Sequence, residues 1–234
     1  IKVALSGVGG DELFASYPGF VELPRINRLA RPFSRFPAVG RQLRKLSVPF
    51  LSRHTSPKYA GLLEYGGSLG GAYLLRRGLF MPWELPQVMD ADMARQGWED
   101  LQTLKQLDGS AHCAPPTAHG SRLAISALEM DWYMRHQLLR DTDWTGMAHS
   151  LEIRVPFVDA TLLKAIAPWL SLYPGLTKSG IAAHTVPQLP TALLNKPKTG
   201  FSIPVRDWLT SDQPMRQERG LRGWARYIHK QFLA

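Results

Sequence analysis

The sequence predicts an α/β protein with a parallel sheet and a largely helical remainder. The apolar run Val3–Leu5 stops in a glycine-rich turn, and acidic residues typical of a helix start follow it. Apolar residues recur at helical spacing after Ser121, which is a plausible N-cap, and Asp159 is placed to cap a second helix from Ala160 to about residue 170. A strand that turns through glycines into a helix is typical of parallel sheets, whose binding groups lie at the carboxyl ends of the strands.

Composition and charge restrict the classes of function. The 234 residues, 44% of them hydrophobic, suffice for one or two domains with a sizeable core. The single cysteine, Cys113, excludes an internal disulfide and a cysteine-rich metal site, which fits a reducing, cytoplasmic location. No apolar stretch is long enough to cross a bilayer, so no membrane partner is expected. The net charge of +9 is scattered and lacks a zinc-finger or RNA-binding signature, so nucleic acid is not expected either.

The first motif runs from Ser6 to Glu12 and reads SGVGGDE. Its glycines let the backbone turn sharply and bring amide groups close to a ligand. Successive amides at a helix start form an anion site, and Asp11 beside them is suited to holding Mg²⁺ against phosphate oxygens. A simple strand-to-helix turn capped by Asp11 explains the same residues equally well.

Two further motifs follow, and the residues between the first motif and residue 120 carry a weaker pattern of short helices and irregular connections. Residues 147–159 read MAHSLEIRVPFVD, where Glu152 and Arg154 lie on one face of a strand and are expected to form an ion-paired scaffold. Residues 195–201 read NKPKTGF, a stiff loop with Lys196 and Lys198. An ammonium group suits the bridging of a phosphate and a developing oxyanion, although solvated surface lysines explain this loop too.

In this order, the three motifs resemble those of the synthetase domain of glutamine-dependent asparagine synthetases. The resemblance implies an adenine nucleotide alpha-hydrolase-like (ATP pyrophosphatase) fold, with residues 1–234 forming the C-terminal part of the synthetase domain. It implies Asp11 as the Mg²⁺ ligand and Lys198 as the catalytic lysine. The residues that it assigns to ATP binding are Ser6, Gly7, Gly9, Gly10, Glu12 and Lys196.

The resemblance also implies a reaction. ATP and Mg²⁺ would be the cofactors, aspartate the default acceptor, and ammonia from glutamine the nitrogen donor; a homodimer is left open. Val8 departs from the family pattern, because relatives usually carry Glu or Asp there to support acyl-adenylate formation and attack by ammonia. Two alternatives therefore stay open: a related amidotransferase or cyclase that acts on another carboxylate in polysaccharide or peptide biosynthesis, and a non-catalytic remnant module.

Two parts of the family pattern are missing from the 234 residues. These are the Ser-Gly-Gly-x-Asp-Ser loop that binds pyrophosphate and the glutaminase domain with its N-terminal cysteine. We therefore expect the chain to be the later part of a longer protein, with an incomplete sheet, and to be inactive when isolated.

Overall fold

The fold is mostly helical around a small parallel sheet. The computed structural model describes residues 1–112, 120–173, 175–196 and 221–232. Strand β1, Val3–Leu5, pairs in parallel with strand β2, Glu152–Arg154, so that Ala4 lies opposite Ile153. The predicted strand and the parallel arrangement of the sheet are confirmed, whereas the predicted ATP-pyrophosphatase type of fold stays a prediction.

The first half of the chain is more regular than its sequence indicates. Helices α2 (Gly19–Ala30) and α3 (Pro37–His54) have 12 and 18 residues, although Pro24 and Pro49 lie inside them. An interior proline normally ends a helix, which is why short helices were expected, but both helices continue through their prolines and pack on neighbouring elements. The helices are α1 (Gly10–Leu13), α2 (Gly19–Ala30), α3 (Pro37–His54), α4 (Leu62–Tyr65), α5 (Leu69–Arg77), α6 (Ala91–Leu101) and α7 (Thr103–His112), with 3₁₀ turns at Arg31–Arg35, Pro57–Gly61 and Pro82–Gln87.

In the second half, one long helical stretch leads into β2. The helix begins at Gly120, so the prediction that Ser121 is its N-cap is wrong. The prediction for Asp159 is confirmed, since its Oδ1 accepts a hydrogen bond from the Leu162 amide at 2.8 Å. The elements are α8 (Gly120–Leu128), a π-helix (Glu129–Leu138), α9 (Leu139–Ala148), a 3₁₀ turn (Pro156–Val158), α10 (Ala160–Leu172), α11 (Lys178–Thr185), α12 (Thr191–Leu194) and α13 (Arg222–Phe232).

The main core lies between α2, α5, α7 and α8. Their apolar faces meet because large side chains recur at helical spacing, and burying them supplies most of the driving force for packing. Helix α1 packs against α8, which fixes the turn after β1 relative to this core. Within the described ranges, no helix is both long and apolar enough to span a membrane. The buried cluster comprises Leu23, Ala72, Tyr73, Leu107, Ala111, Ala124, Ile125 and Leu128.

Candidate functional site

The turn after β1 is a compact backbone structure that requires glycine at one position. The Ser6 amide donates to the carbonyl of Arg154 at 2.8 Å, which extends the pairing of β1 with β2 into the turn. Gly9 has φ +93°, a conformation that L-residues with a side chain rarely adopt. A Cβ on Gly9 would lie 2.9 Å from Cγ2 of Val158. The turn therefore lies tightly against the 3₁₀ turn that follows β2.

Asp11 stands at the carboxyl end of β1, in the first turn of α1. Its Oδ1 lies 3.2 Å from Nζ of Lys178, and the aspartate side chain is 26% exposed. Lys178 is the first residue of α11, whose start is capped by Oγ1 of Thr177 accepting from the Gly180 amide at 3.1 Å. The fold thus joins a carboxylate and an ammonium group that are 167 residues apart.

Lys178 is the residue that our sequence reasoning missed. The signal was present as Thr177-Lys178-Ser179-Gly180, a capped helix start with a cation in its first turn. A lysine at that position is common on protein surfaces, and only the contact of its ammonium group with Asp11 marks this one as part of the candidate site.

Glu12 lies on the buried side of α1. Its side chain is 1% exposed, and Oε1 accepts a hydrogen bond from the Tyr17 hydroxyl at 2.7 Å. Burial, and then the bond to Glu12, raise the pKa of Tyr17 above its ordinary value. The Glu12 carbonyl also accepts from Oγ of Ser126 at 2.8 Å. These contacts give Glu12 an anchoring role for α1, and its predicted contact with ATP stays a prediction.

A second buried carboxylate lies next to this anchor. Glu129, at the start of the π-helix, is 1% exposed and has Nη2 of Arg77 at 2.8 Å from Oε2. The Arg77 guanidinium stacks over the rings of Tyr133, at 3.8 Å, and Tyr17, at 4.8 Å. Burial raises the pKa of the Glu129 carboxyl, and the charge of Arg77 limits the rise. Two buried carboxylates, one arginine and tyrosine hydroxyls thus form one polar network behind the turn.

The remaining predicted site residues have different placements. Gly7 and Gly10 belong to the turn, where the Gly10 amide donates to the Gly7 carbonyl at 3.2 Å. Lys196 is exposed in the turn after α12, and Lys198 lies outside the described residues. The predicted ion pair on β2 is formed: Nε of Arg154 donates to Oε1 of Glu152 at 2.8 Å, and this bond lowers the pKa of the exposed Glu152.

A magnesium site built only from protein side chains is not present in the described part of the chain, which has no group of three or more His, Cys, Asp or Glu residues suited to a metal ion. Mg²⁺ bound together with substrate phosphates needs only one or two carboxylates. Asp11, partly exposed beside a glycine turn, fits that second kind of site.

A glycine turn with a carboxylate and a lysine at the carboxyl end of a parallel strand is an arrangement that suits an anionic ligand in α/β proteins. The sequence comparisons identify the family of the chain. The profile of the asparagine synthase family matches residues 1–222, and the chain belongs to this family.

Individual relatives agree with the family assignment. The chain is 29% identical over 219 residues, 91% of its length, to a protein of Mycobacterium tuberculosis that is provisionally named as a glutamine-hydrolysing asparagine synthetase. It is 25% identical over its whole length to the glutamine-hydrolysing asparagine synthetase 1 of Bacillus subtilis. It spans 31% and 36% of these two proteins, about a third of their length. No solved structure matches the chain.

Proposed function

We propose that the intact protein is an ATP-dependent ligase that converts a carboxylate into an amide. The acceptor carboxylate attacks the α-phosphate of ATP and releases pyrophosphate, and ammonia from glutamine then displaces AMP from the acyl-adenylate. Aspartate, which would give asparagine, is the default acceptor. The Asp11–Lys178 pair beside the Gly9 turn, in a member of the asparagine synthase family, is the observation that carries this proposal.

The residues of the turn fit a nucleotide with its magnesium ion. Asp11 offers the hard, charged oxygen that Mg²⁺ prefers, and the glycine turn leaves open space at Gly7, where a phosphate could approach the backbone. Magnesium-bound ATP supplies the adenylyl group and a pyrophosphate leaving group. The described residues contain no group of three or more His, Cys, Asp or Glu residues suited to a metal ion, which is compatible with a metal held partly by phosphate oxygens. An ATP-pyrophosphatase fold for the complete domain is part of this proposal.

The chain's own residues have separate tasks in the proposed reaction. Lys178 holds the Asp11 carboxylate in place before the substrate arrives and is near enough to take up a phosphate oxygen afterwards. Lys196 and Lys198 follow in the next basic segment, and we assign the catalytic role to Lys198. Positive groups that balance charge as the phosphate bond breaks contribute more to the transition state than to substrate binding.

The test uses the full-length protein and follows pyrophosphate release against Mg²⁺ concentration. Asp11→Asn keeps the size of the side chain and removes its charge, so we expect Mg²⁺-dependent activity to be lost with an unchanged melting temperature. Lys178→Met should lower turnover by about 10²–10³-fold, the usual loss for a group that stabilises developing charge.

Lys164→Met is the matched control, because Lys164 is an exposed lysine on α10. It should leave turnover within about threefold, less than roughly 1 kcal/mol of barrier. Wild-type activity and Mg²⁺ dependence in both Asp11→Asn and Lys178→Met would leave the first motif as a plain turn and refute the proposal.

Val8 favours a second candidate, an amidotransferase or cyclase for another carboxylate. Its apolar, half-buried side chain can neither accept a proton nor bind a cation at the position where relatives carry an acid. We expect Val8→Glu in the full-length protein to raise aspartate-dependent pyrophosphate release if aspartate is the acceptor. A gain supports asparagine synthesis, and no gain, with Val8→Leu as the neutral comparison, supports the other acceptor class.

A further inference from the structure

Helix α3 carries a row of large apolar side chains that face solvent. They are spaced three and four residues apart, which places them on one face of the helix. Two of them are among the most exposed apolar residues in the described ranges, with Leu46 at 77% and Phe50 at 66%. We call this row the α3 stripe; it consists of Phe36, the N-cap residue of α3, and of Val39, Leu43, Leu46 and Phe50 within the helix.

A different face of α3 attaches the helix to the rest of the protein. Gly40 is buried so closely against α4 that a Cβ on it would lie 3.0 Å from Cα of Glu64. Arg44 donates to Oε2 of the same glutamate at 2.6 Å and stacks on Trp83 at 4.4 Å. The α3 stripe is therefore an outer surface of a helix that is already packed.

The segment around the stripe is strongly and uniformly basic. Residues 25–54 contain seven arginines and one lysine, and no aspartate or glutamate. Arg35 and Arg53 stand at the two ends of α3 and are exposed. An apolar row within a surface of one charge sign is the pattern of a helix that lies in a membrane interface, where the apolar side chains enter the lipid and the cations contact anionic headgroups.

We propose that α3 binds peripherally to an anionic lipid bilayer, lying in the plane of its surface with the α3 stripe inserted. Residues 25–54 carry only positive charge, and Glu64 of α4 pairs with just two of these arginines, Arg41 and Arg44, so docking this surface onto a second copy would bring like charges together. A nucleic acid would satisfy the arginines but would leave five large apolar side chains without a partner. An anionic bilayer satisfies both features.

No membrane partner was expected from the sequence because no apolar stretch is long enough to cross a bilayer, and no helix of the described residues is long and apolar enough to do so. A helix that lies on the surface needs an apolar face and basic flanks and not an apolar length. The proposal is independent of the reaction assigned to the protein.

The test is co-sedimentation of the full-length protein with vesicles of equal parts phosphatidylcholine and phosphatidylglycerol. We expect binding to these vesicles and much weaker binding to vesicles of pure phosphatidylcholine, because the cations require anionic headgroups. The double variant Leu46→Gln with Phe50→Gln should reduce the partition coefficient about tenfold or more, since it removes the apolar groups that enter the lipid. Lys45→Glu with Arg53→Glu should reduce it in a salt-dependent manner.

The matched control is the double variant Met93→Gln with Leu101→Gln on α6. These side chains are 59% and 61% exposed, comparable to the tested pair, and lie outside the basic segment. The control should bind vesicles as the wild type does, and all variants should show the wild-type circular dichroism spectrum. No binding by the full-length protein, as when another part of it covers α3, would overturn the proposal. Binding that persists in the glutamine double variant would point to charge alone, as for a nucleic acid, and would equally overturn it.

Discussion

At the scale of single residues, the candidate site depends on Gly9 for the shape of its backbone and on Asp11 for its negative charge. Gly9 gives the backbone a conformation that other residues rarely adopt, and this conformation places the start of α1 against Val158. Asp11 then stands in the first turn of α1 with Lys178 as its partner. A small residue makes the turn, and the charged residue two positions later is the proposed metal ligand.

Gly9→Ala should destabilise the folded state. The positive φ costs about 1–3 kcal/mol for a residue with a side chain, and the added Cβ also meets Val158 and Phe157. Gly7→Ala is the control in the same turn, because a Cβ there meets nothing within 4 Å. Urea unfolding measures the difference in stability between the two variants. Equal midpoints would show that the close contacts at Gly9 contribute nothing to stability.

At the scale of elements, the N-termini of two helices set the positions of two charged residues. Lys178 is the first residue of α11, and Glu129 is the first residue of the π-helix. π-helical segments are rare and often occur at functional sites. Here the segment follows α8 without a break, so the core that fixes α8 also fixes the carboxylate.

Thr177→Ala should loosen α11 and, through it, Lys178. The threonine Oγ1 is the N-cap acceptor for the Gly180 amide, and losing such a cap costs about 0.5–2 kcal/mol of helix stability. We expect faster amide hydrogen exchange in residues 178–185 and a turnover that falls towards that of Lys178→Met. Thr177→Ser keeps the hydroxyl and should behave as the wild type; equally fast exchange in both variants would exclude the cap as the cause.

At the scale of the whole molecule, a buried polar network joins the site to the helical core. Tyr17 donates to Glu12 and stacks with Arg77, which pairs with Glu129, and the Tyr73 hydroxyl donates to Glu129 at 3.2 Å. These residues come from α1, α5 and the π-helix and from the turn between α1 and α2. Buried groups of this kind are costly unless they are paired, so the network links the placement of α1 to the packing of the core.

The network predicts a specific pH dependence of stability. Burial raises the pKa of Glu129 in the folded state above its ordinary value of 4.5. The folded protein therefore binds a proton more tightly than the unfolded chain, and this contribution is fully present below pH 4.5 and declines as pH rises through the folded pKa. We expect Glu129→Gln to remove this decline from the curve of unfolding free energy against pH.

Glu129→Gln also loses the ion pair with Arg77, which shifts its unfolding free energy by an offset. The slope of the unfolding free energy against pH is therefore the quantity to compare. Glu99→Gln, at an exposed position on α6, is the control and should keep the wild-type slope. Chemical unfolding between pH 4 and pH 8, a range chosen around the ordinary carboxyl pKa, provides the curves. A Glu129→Gln slope identical to that of the wild type would contradict a raised pKa.

The sequence by itself determined the parts of the protein that depend on local chemistry. The strand Val3–Leu5, the helix capped by Asp159 and the ion pair on β2 follow from alternation, capping and spacing, and the structure has all three. The family likewise follows from three short motifs in order, and the profile match over residues 1–222 confirms it. Local patterns suffice here because each involves residues close together in the chain.

Only the tertiary structure decided which distant residues meet. Nothing local in the sequence indicates that Lys178 reaches Asp11, or that Arg77 lies between two tyrosines and pairs with Glu129. The tertiary structure also shows that Glu12 is buried while its neighbour Asp11 is accessible, because successive residues of α1 point to different sides of the helix. Long-range contacts depend on how all the helices pack around the core, and that packing is a property of the whole chain.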